Sequence, residues 1–341
     1  MKNILIITLL FLNISSYGQI PDSIRAILDT VLLKAQQTSL YADSVNWEDI
    51  KVKVYQKADD AKTLANLNPA FQTLLNELRD HHGSFMNATN YNKLAYFTDW
   101  SNVRSTDERP RNNEILKVIN SADAKFEYSL LPDKIGYLKI VGIRANIDVQ
   151  KEAEKIRNGI IALYKQKADK WIVDLRYNGG GNMNLMIAGL AVLIGNGKIG
   201  GSTKANGDVF TSYEVQNGDF YDTGRLVASL GAQPRFKKLP KVAVLTSRYT
   251  VSSGELVAVA FKGRNNTQFF GEATGGYTTV TNWIFVNKDL IMSIAESIYF
   301  DRNDKKYYEN VKPDIELPFE PIKDLSKDRI VIEAVKWLQK K

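Results

Sequence analysis

The chain has 341 residues, of which 24% are charged, and its 45 basic and 38 acidic side chains give a net charge of +7. It contains no cysteine, which excludes disulfides, thiolate metal sites and cysteine nucleophiles. The basic residues occur in short pairs such as Lys237-Lys238 and Lys305-Lys306, which is typical of a solvated surface. Nucleic-acid binding needs a dense basic stripe, so no nucleic-acid partner is expected.

The first residues have the pattern of a secretory signal peptide. A basic start at Lys2 precedes the apolar run 4–12, which is too short to span a bilayer. Small residues before Gln19 predict cleavage after Gly18, so residues 1–18 are expected to be removed, and a retained membrane anchor is the alternative. No cysteine follows for a lipoprotein anchor, and no later segment is expected to span a membrane. Export without cysteine favours a bacterial periplasmic or extracellular location.

Residues 19–86 are predicted to form an N-terminal helical subdomain. Apolar residues recur there at helical spacing, and Pro69 is well placed to begin the last helix. This helix leads directly into His81 and His82, which are the two histidines of the protein. Gly83 is the predicted stop signal of the helix.

Residues 87–133 are polar and show little periodicity, which predicts a connector between two subdomains. From residue 134 to residue 341 the pattern changes to alternating strands and helices, which indicates an α/β core. Strands are predicted at 135–140, 171–175, 242–245, 269–271, 283–286 and 291–294, and helices at 149–167, 183–194, after Ser252 and at 330–338.

One predicted strand ends at Asp174 and leads into the triple glycine 179–181 before a helix begins. Such a turn leaves backbone N–H groups free and lets another atom approach closely. An oxyanion hole, a phosphate cradle and an ordinary tight turn are all compatible with it. The cradle is disfavoured because the segment lacks the GxGxxG spacing and a following Gly-Lys-Ser/Thr.

A second strand-to-helix turn carries Ser252-Ser253-Gly254-Glu255. Ser-x-x-Glu at a helix start is also a capping box, so a purely structural role stays open. A nucleophile at this turn would gain from the same geometry, because a helix start presents free N–H groups and a dipole that favours negative charge. A serine nucleophile also needs a base, and the imidazoles of His81 and His82 are the candidates.

The two histidines adjoin Asp80 and Ser84. A metal site would need more ligands at characteristic spacings, so no metal is expected, and a histidine without a catalytic task is the other alternative. Adjacent side chains diverge, so at most one of the two is expected to be catalytic. Near the end of the core, Glu309 is a candidate to orient or polarise a catalytic group, or else a solvated loop carboxylate.

Taken in chain order, these segments resemble the carboxyl-terminal processing (tail-specific) serine protease family. The shared motifs are the histidine segment, Asp-Leu-Arg-Tyr-Asn-Gly-Gly-Gly at 174–181, Ser-Ser-Gly-Glu at 252–255, Gly-Glu-Ala-Thr-Gly-Gly at 271–276, and the segment from Glu309 to Pro-Asp-Ile at 313–315. The resemblance is to the branch with the tricorn protease core and the interphotoreceptor retinoid-binding protein modules. It implies an α/β fold with a ββα-spiral core of the crotonase and ClpP type, preceded by an N-terminal helical bundle.

Carried over by motif, the resemblance implies that Ser252 is the nucleophile and His82 the general base. It also implies that Glu309, with Ser84 or His81, completes a tetrad-like relay. The residues that it places at the oxyanion hole are Gly180, Gly181 and Ser253. No cofactor is expected.

Two features depart from the family pattern. In its Ser–Lys branch a lysine follows the serine in a Phe-Gly-Lys-Gly setting, whereas Tyr277 stands at that place here, which favours the histidine mechanism. The stretch between the histidine segment and the core is also too short for the family's PDZ domain, so recognition of carboxyl-terminal tails is not expected.

The sequence therefore predicts an exported serine hydrolase, specifically a peptidase that cleaves peptide bonds through an acyl-enzyme. Its expected partner is a peptide or protein substrate. Fold alone does not fix function, so two alternatives stay open: a noncatalytic ligand-binding module of the same fold, and an ester hydrolase.

Overall fold

The computed structural model describes residues 20–96, 98, 113–120, 126–143, 148–230, 234 and 236–340. The predicted signal peptide lies outside the described residues. The described residues form two compact units, the first with those in 20–37, 42–98 and 283–293 and the second with those in 38–41, 113–282 and 294–340. Within the described residues, no helix combines the length and the apolar composition that a bilayer crossing requires.

The first unit consists of helices followed by a small antiparallel sheet. Its elements are α1 (Asp22–Thr38), α2 (Trp47–Lys57), α3 (Asn68–Leu78), β1 (Ser84–Asn87) and β2 (Lys93–Tyr96). Strand β1 pairs with β2 and with residues 290–293 of a later strand. The rings of Phe71 and Phe85 stack with their centroids 4.2 Å apart, which joins α3 to β1 in the core of this unit.

Helix α3 positions the histidine segment, and different features of the sequence begin and end the helix. Pro69 lies in its first turn, as predicted. The helix ends where Arg79 adopts the left-handed conformation with φ of 56° and donates its N–H to the last carbonyl groups. The stop signal predicted at Gly83 is therefore wrong. A β-carbon at Gly83 would lie 2.5 Å from Leu75 Cδ2, so glycine is needed there for close packing instead.

The remaining elements follow in chain order. They are α4 (Asn113–Asn120), β3 (Glu127–Leu131), β4 (Ile135–Lys139), α5 (Val149–Lys165), β5 (Lys170–Asp174), α6 (Met183–Ile194), β6 (Gly197–Thr203), β7 (Val209–Gln216), β8 (Asp219–Asp222), β9 (Arg225–Leu226), β10 (Lys241–Thr246), α7 (Ser253–Phe261), β11 (Thr267–Gly271), β12 (Thr279–Phe285), β13 (Leu290–Asp301), β14 (Ile315–Glu316) and α8 (Arg329–Gln339). Strand β13 begins in the first unit and ends in the second.

A six-stranded sheet in the order β14-β11-β10-β5-β4-β3 forms the centre of the second unit, and its strands are parallel except for β3. Helices α5, α6 and α7 pack on one face, and α4 and α8 on the other. Trp171 and Val173 of β5 accordingly enter one core, and Ile172 enters the other. Burial of both faces explains why this strand is a continuous apolar run. The predicted α/β class with N-terminal helices is confirmed.

Strands β6, β7, β8 and β9 form an antiparallel meander in the second unit, and residues 298–301 of β13 pair with β6. The predicted connector 87–133 has more regular structure than its polar sequence indicated, since it contains β2, α4 and β3. Strand β3 is an edge strand, and four of its five residues are exposed. The predicted domain boundaries at residues 86 and 133 stay predictions.

The two turns singled out in the sequence follow neighbouring parallel strands. Strands β5 and β10 pair in parallel, with Asp174 opposite Leu245 at their carboxyl ends. The triple-glycine turn follows β5 and the Ser252 turn follows β10. In open α/β sheets, ligand sites form outside the carboxyl ends of the strands, so this edge is where a site is expected.

Candidate active site

A buried ion pair anchors the end of β5. Nε and Nη2 of Arg176 donate to the two carboxylate oxygens of Asp174 at 2.9 and 2.7 Å, and Nη1 donates to Asp328 at 2.7 Å. The hydroxyl of Tyr137 also donates to Asp174, at 2.7 Å. Burial alone would raise the pKa of Asp174, but the charge and hydrogen bonds of Arg176 outweigh burial and lower it. The start of the glycine turn is therefore held by ionised, fully paired side chains.

The glycine turn itself is shaped by Asn178. The N–H of Gly180 donates to Asn178 Oδ1 at 3.0 Å, and the N–H of Val251, from the other turn, donates to the Asn178 carbonyl at 3.0 Å. Gly180 and Gly181 have φ of 94° and 107°, which non-glycine residues rarely adopt. The glycines are thus required by the backbone conformation.

Ser252 lies at the turn between β10 and α7 in a strained conformation. Its φ is 53° and its ψ is −123°, a combination that costs a non-glycine residue about 1–3 kcal/mol. Strain of this kind on a strand-to-helix turn is typical of a nucleophile elbow, which presents the serine hydroxyl at the edge of the sheet. Ser252 is partly exposed, so a substrate can reach it.

The two turns contact each other directly. A β-carbon on Gly180 would lie 3.0 Å from Ser252 Cβ and 3.5 Å from its Oγ. The hydroxyl of Ser253 donates to the Gly181 carbonyl at 2.6 Å. The structure thus brings four of the predicted site residues together: Ser252, Ser253, Gly180 and Gly181.

The predicted oxyanion donors differ in whether their N–H groups already have an acceptor. Ser253 begins α7, so its N–H has no acceptor within the helix. Within the described part of the chain, no acceptor is found for the N–H of Ser253 or of Gly181. The N–H of Gly180 donates to Asn178 and would have to leave it to bind an oxyanion.

Glu255 is a buried carboxylate beside the nucleophile candidate. The N–H of Ser252 donates to its Oε2 at 2.9 Å, which is the carboxylate half of the capping box recognised in the sequence. The Thr274 hydroxyl and the N–H groups of Gly276 and Tyr277 also donate to it, at 2.5, 2.9 and 2.7 Å. Burial raises the pKa of Glu255 to about 7, and the hydrogen bonds oppose that rise. The sequence showed the cap but not these bonds to a loop 19–22 residues further on.

The histidine segment belongs to the first unit. The N–H groups of His82 and Gly83 donate to Oδ1 of the buried Asp80 at 3.1 and 2.9 Å, which fixes the turn after α3. Both histidines are partly exposed, and Ser84 is buried at the start of β1. No group of three or more side chains able to hold a metal ion occurs among the described residues. The predicted base and its neighbours, His82, His81 and Ser84, thus lie in the first unit, whereas Ser252 lies in the second.

Glu309 lies in the second unit on an exposed segment before β14. Its side chain makes no hydrogen bond to a described residue, but its backbone carbonyl would lie 2.7 Å from a β-carbon on Gly276. Nearby, Val311 donates its N–H to the Thr274 hydroxyl at 2.8 Å and accepts the N–H of Thr274 at 3.2 Å. The Glu309 segment is therefore attached to the loop that contacts Glu255.

Comparisons with known proteins agree with this geometry. The sequence profile of peptidase family S41 matches residues 134–317, which is just over half of the chain. The nisin-resistance protein of Lactococcus lactis subsp. lactis is 24% identical over 321 residues, covering 94% of this chain and 88% of that protein.

Two solved structures show the same fold. A lipoprotein from Streptococcus agalactiae has a TM-score of 0.65 and 22% identity, with 92% of this chain and 94% of that chain covered. The photosystem II D1 C-terminal processing protease has a TM-score of 0.54 and 13% identity, with 86% and 92% covered.

Proposed function

Because the chain belongs to peptidase family S41 and is therefore a serine peptidase, we propose that Ser252 is its nucleophile and His82 its general base. Membership confirms the predicted resemblance to the tail-specific proteases. The observation that supports Ser252 most strongly is its strained turn, packed against the glycines of the neighbouring strand. The support for His82 comes from composition, since the chain has two histidines and Tyr277 stands where Ser–Lys members carry lysine.

The proposed reaction is acyl transfer to water in two stages. Ser252 Oγ attacks the scissile carbonyl while His82 accepts the hydroxyl proton, and His82 then gives that proton to the leaving amine. The acyl-enzyme on Ser252 is hydrolysed by a water molecule that His82 deprotonates. The acyl group leaves as a carboxylate and the serine hydroxyl is restored.

The oxyanion of each tetrahedral intermediate needs two N–H donors. We assign the first to Ser253, whose N–H is the free start of α7, where the helix dipole also favours negative charge. The glycine turn supplies the second, from Gly181 or from Gly180 once its bond to Asn178 is released. Glu309 and Ser84 keep their auxiliary places in the relay as part of the proposal.

We also propose that the chain is exported to a bacterial periplasm or the extracellular space. The basic Lys2 and the apolar run 4–12 support this location. The Streptococcus agalactiae protein that shares the fold is a lipoprotein, which is consistent with export.

We predict that the mature protein from its host begins at Gln19, because the small residues before it suit a signal peptidase. N-terminal sequencing of the purified protein tests this. A cytoplasmic pool that retains Met1 would contradict export.

We predict that a fluorophosphonate probe labels Ser252 and that Ser252→Ala lowers kcat by about 10⁶-fold, as for other serine nucleophiles. Peptide mapping and hydrolysis of a peptide mixture are the measurements, with nisin as one substrate because a relative is named for resistance to it. Ser212→Ala is the matched control, because Ser212 is an exposed serine on β7 of the same unit. Labelling at Ser253, or activity in Ser252→Ala, would contradict the assignment, and turnover of esters alone would favour an ester hydrolase.

We predict that His82→Ala lowers the rate by several orders of magnitude and His81→Ala much less, because adjacent side chains diverge. The wild-type rate should fall as pH decreases into the acidic range, because a protonated imidazole cannot accept the serine proton. The measurement is kcat/KM against pH for the three proteins. An active His82→Ala with no acidic decline in the wild type would exclude a histidine base.

We predict that Gly180→Ala lowers activity about 100-fold, because its methyl group would press on Ser252 and a displacement near 1 Å at a reacting group has an effect of that size. Gly207→Ala is the matched control. Gly207 has φ of 91°, close to that of Gly180, but a β-carbon there meets no atom within 4 Å. Both variants should lose about 1–2 kcal/mol of stability from backbone strain. Equal activity per folded molecule in the two variants would contradict the role of Gly180.

A further inference from the structure

We propose that Glu255 is the positioning residue of the site: its carboxylate holds Ser252 in the strained conformation that attack requires and fixes the loop Thr274–Tyr277 beside it. This inference rests on the proposed function, in which Ser252 is the nucleophile. Glu255 is fully buried and lies three residues after Ser252 at the start of α7. In this proposal Glu255 does not contact the substrate, and it affects the reaction by positioning Ser252.

The hydrogen bonds of Glu255 exceed what a helix cap needs. A capping box uses one bond from the carboxylate to the N-cap N–H. Other helices of this unit begin without a buried carboxylate at this position: α5, α6 and α8 are capped by the side chains of Asp148, Asn182 and Asp328. A fully buried carboxylate is costly unless several donors satisfy it. Among these four helices, α7 alone has a buried carboxylate three residues after the N-cap, which points to a task beyond capping.

Each carboxylate oxygen of Glu255 accepts two hydrogen bonds. Oε1 accepts the Thr274 hydroxyl and the N–H of Gly276, and Oε2 accepts the N–H groups of Ser252 and Tyr277. The Ser252 bond and the three loop bonds thus converge on one charged group. Hydrogen bonds to charged groups are about twice as strong as neutral ones, so the arrangement is stiff.

The residue holds both sides of Ser252. Its side chain accepts the Ser252 N–H at 2.9 Å, and its own backbone N–H donates to the Ser252 carbonyl at 2.8 Å. A strained φ and ψ persist only where the surroundings fix them from more than one direction. Loss of the carboxylate would remove its hold on the Ser252 N–H and allow the turn to relax, which moves Oγ.

Protonation of Glu255 has a geometric consequence. Each oxygen already accepts two hydrogen bonds, so an added proton must displace one of the four donors. Burial raises the pKa of Glu255 to about 7, which puts this event near neutrality. The titratable neighbour whose pKa responds to the charge of Glu255 is the buried phenol of Tyr299 on β13. Among the described residues, the largest influences on the pKa of Glu255 are its burial and the four hydrogen bonds that it accepts.

The test is the rate of fluorophosphonate labelling of Ser252 in the full chain from pH 5.5 to pH 9, with folding checked by thermal unfolding. Glu255→Gln keeps the shape but presents an amide N–H2 to two N–H donors. Glu272→Gln is the matched control, because Glu272 is a buried carboxylate in the same unit that accepts the N–H groups of Phe319 and Arg248. Thr274→Val and Thr274→Ser form a second pair, in which serine restores the hydroxyl.

We expect Glu255→Gln to be labelled about 100-fold more slowly than the wild type at pH 8, and Glu272→Gln to match the wild type. The wild-type rate should decline toward low pH more steeply than the rate of Glu255→Gln, because only the wild type loses a carboxylate charge at residue 255. Thr274→Val should be slowed and Thr274→Ser should recover.

The outcomes separate this inference from the proposed function. A folded Glu255→Gln that is labelled at the wild-type rate over the whole pH range would overturn the inference while Ser252 remains the nucleophile. If Glu255→Gln does not fold, the threonine pair decides: equal labelling of Thr274→Val and Thr274→Ser would overturn the inference, and a selective loss in Thr274→Val supports it. A wild-type protein that no probe labels would overturn the proposed function itself.

Discussion

The guanidinium of Arg176 is the group on which the geometry of the site depends. It is buried in the second unit, where an unpaired charge would be strongly destabilising. It pairs with Asp174 at the end of β5, two residues before it, and with Asp328 at the start of α8. Removing one partner of such a buried pair typically costs about 3–5 kcal/mol. The backbone of Arg176 is therefore fixed at the end of β5, and its carbonyl accepts the Ser247 hydroxyl at 2.7 Å from the turn after β10. One buried charge thus sets the distance between the glycine turn and the serine turn.

The serine turn shows how a locally unfavourable conformation is maintained. The strain at Ser252 is compensated by hydrogen bonds to residues distant in sequence. The N–H of Val251 donates to the Asn178 carbonyl, the Thr250 hydroxyl donates to the Leu175 carbonyl, and the N–H of Gly275 donates to the Thr250 carbonyl. Each of these bonds is buried or half-buried, so breaking one would leave a polar group without water. These bonds act together with the two bonds between Ser252 and Glu255 of α7, so the turn is fixed from several directions.

The sequence was informative where a local pattern has a local cause. The apolar run 171–175, the glycines after it and Pro69 at the start of α3 each determine structure through their own backbone or the faces of their own strand. The sequence was less informative where the hydrogen-bond partner of a residue is distant in sequence. Nothing near Glu255 indicates that Tyr277 binds it, and nothing near Val251 shows that the Asn178 carbonyl accepts its N–H. The stop at Arg79 was missed because a left-handed cap usually carries glycine or asparagine.

The bond between Arg176 and Asp328 also bears on the order of synthesis. Asp328 lies 152 residues after Arg176, so the ribosome adds it after every strand of the central sheet. Until it arrives, the guanidinium has one carboxylate partner fewer and the glycine turn lacks its full anchor. We infer that a growing chain carries Ser252 long before it carries a finished site.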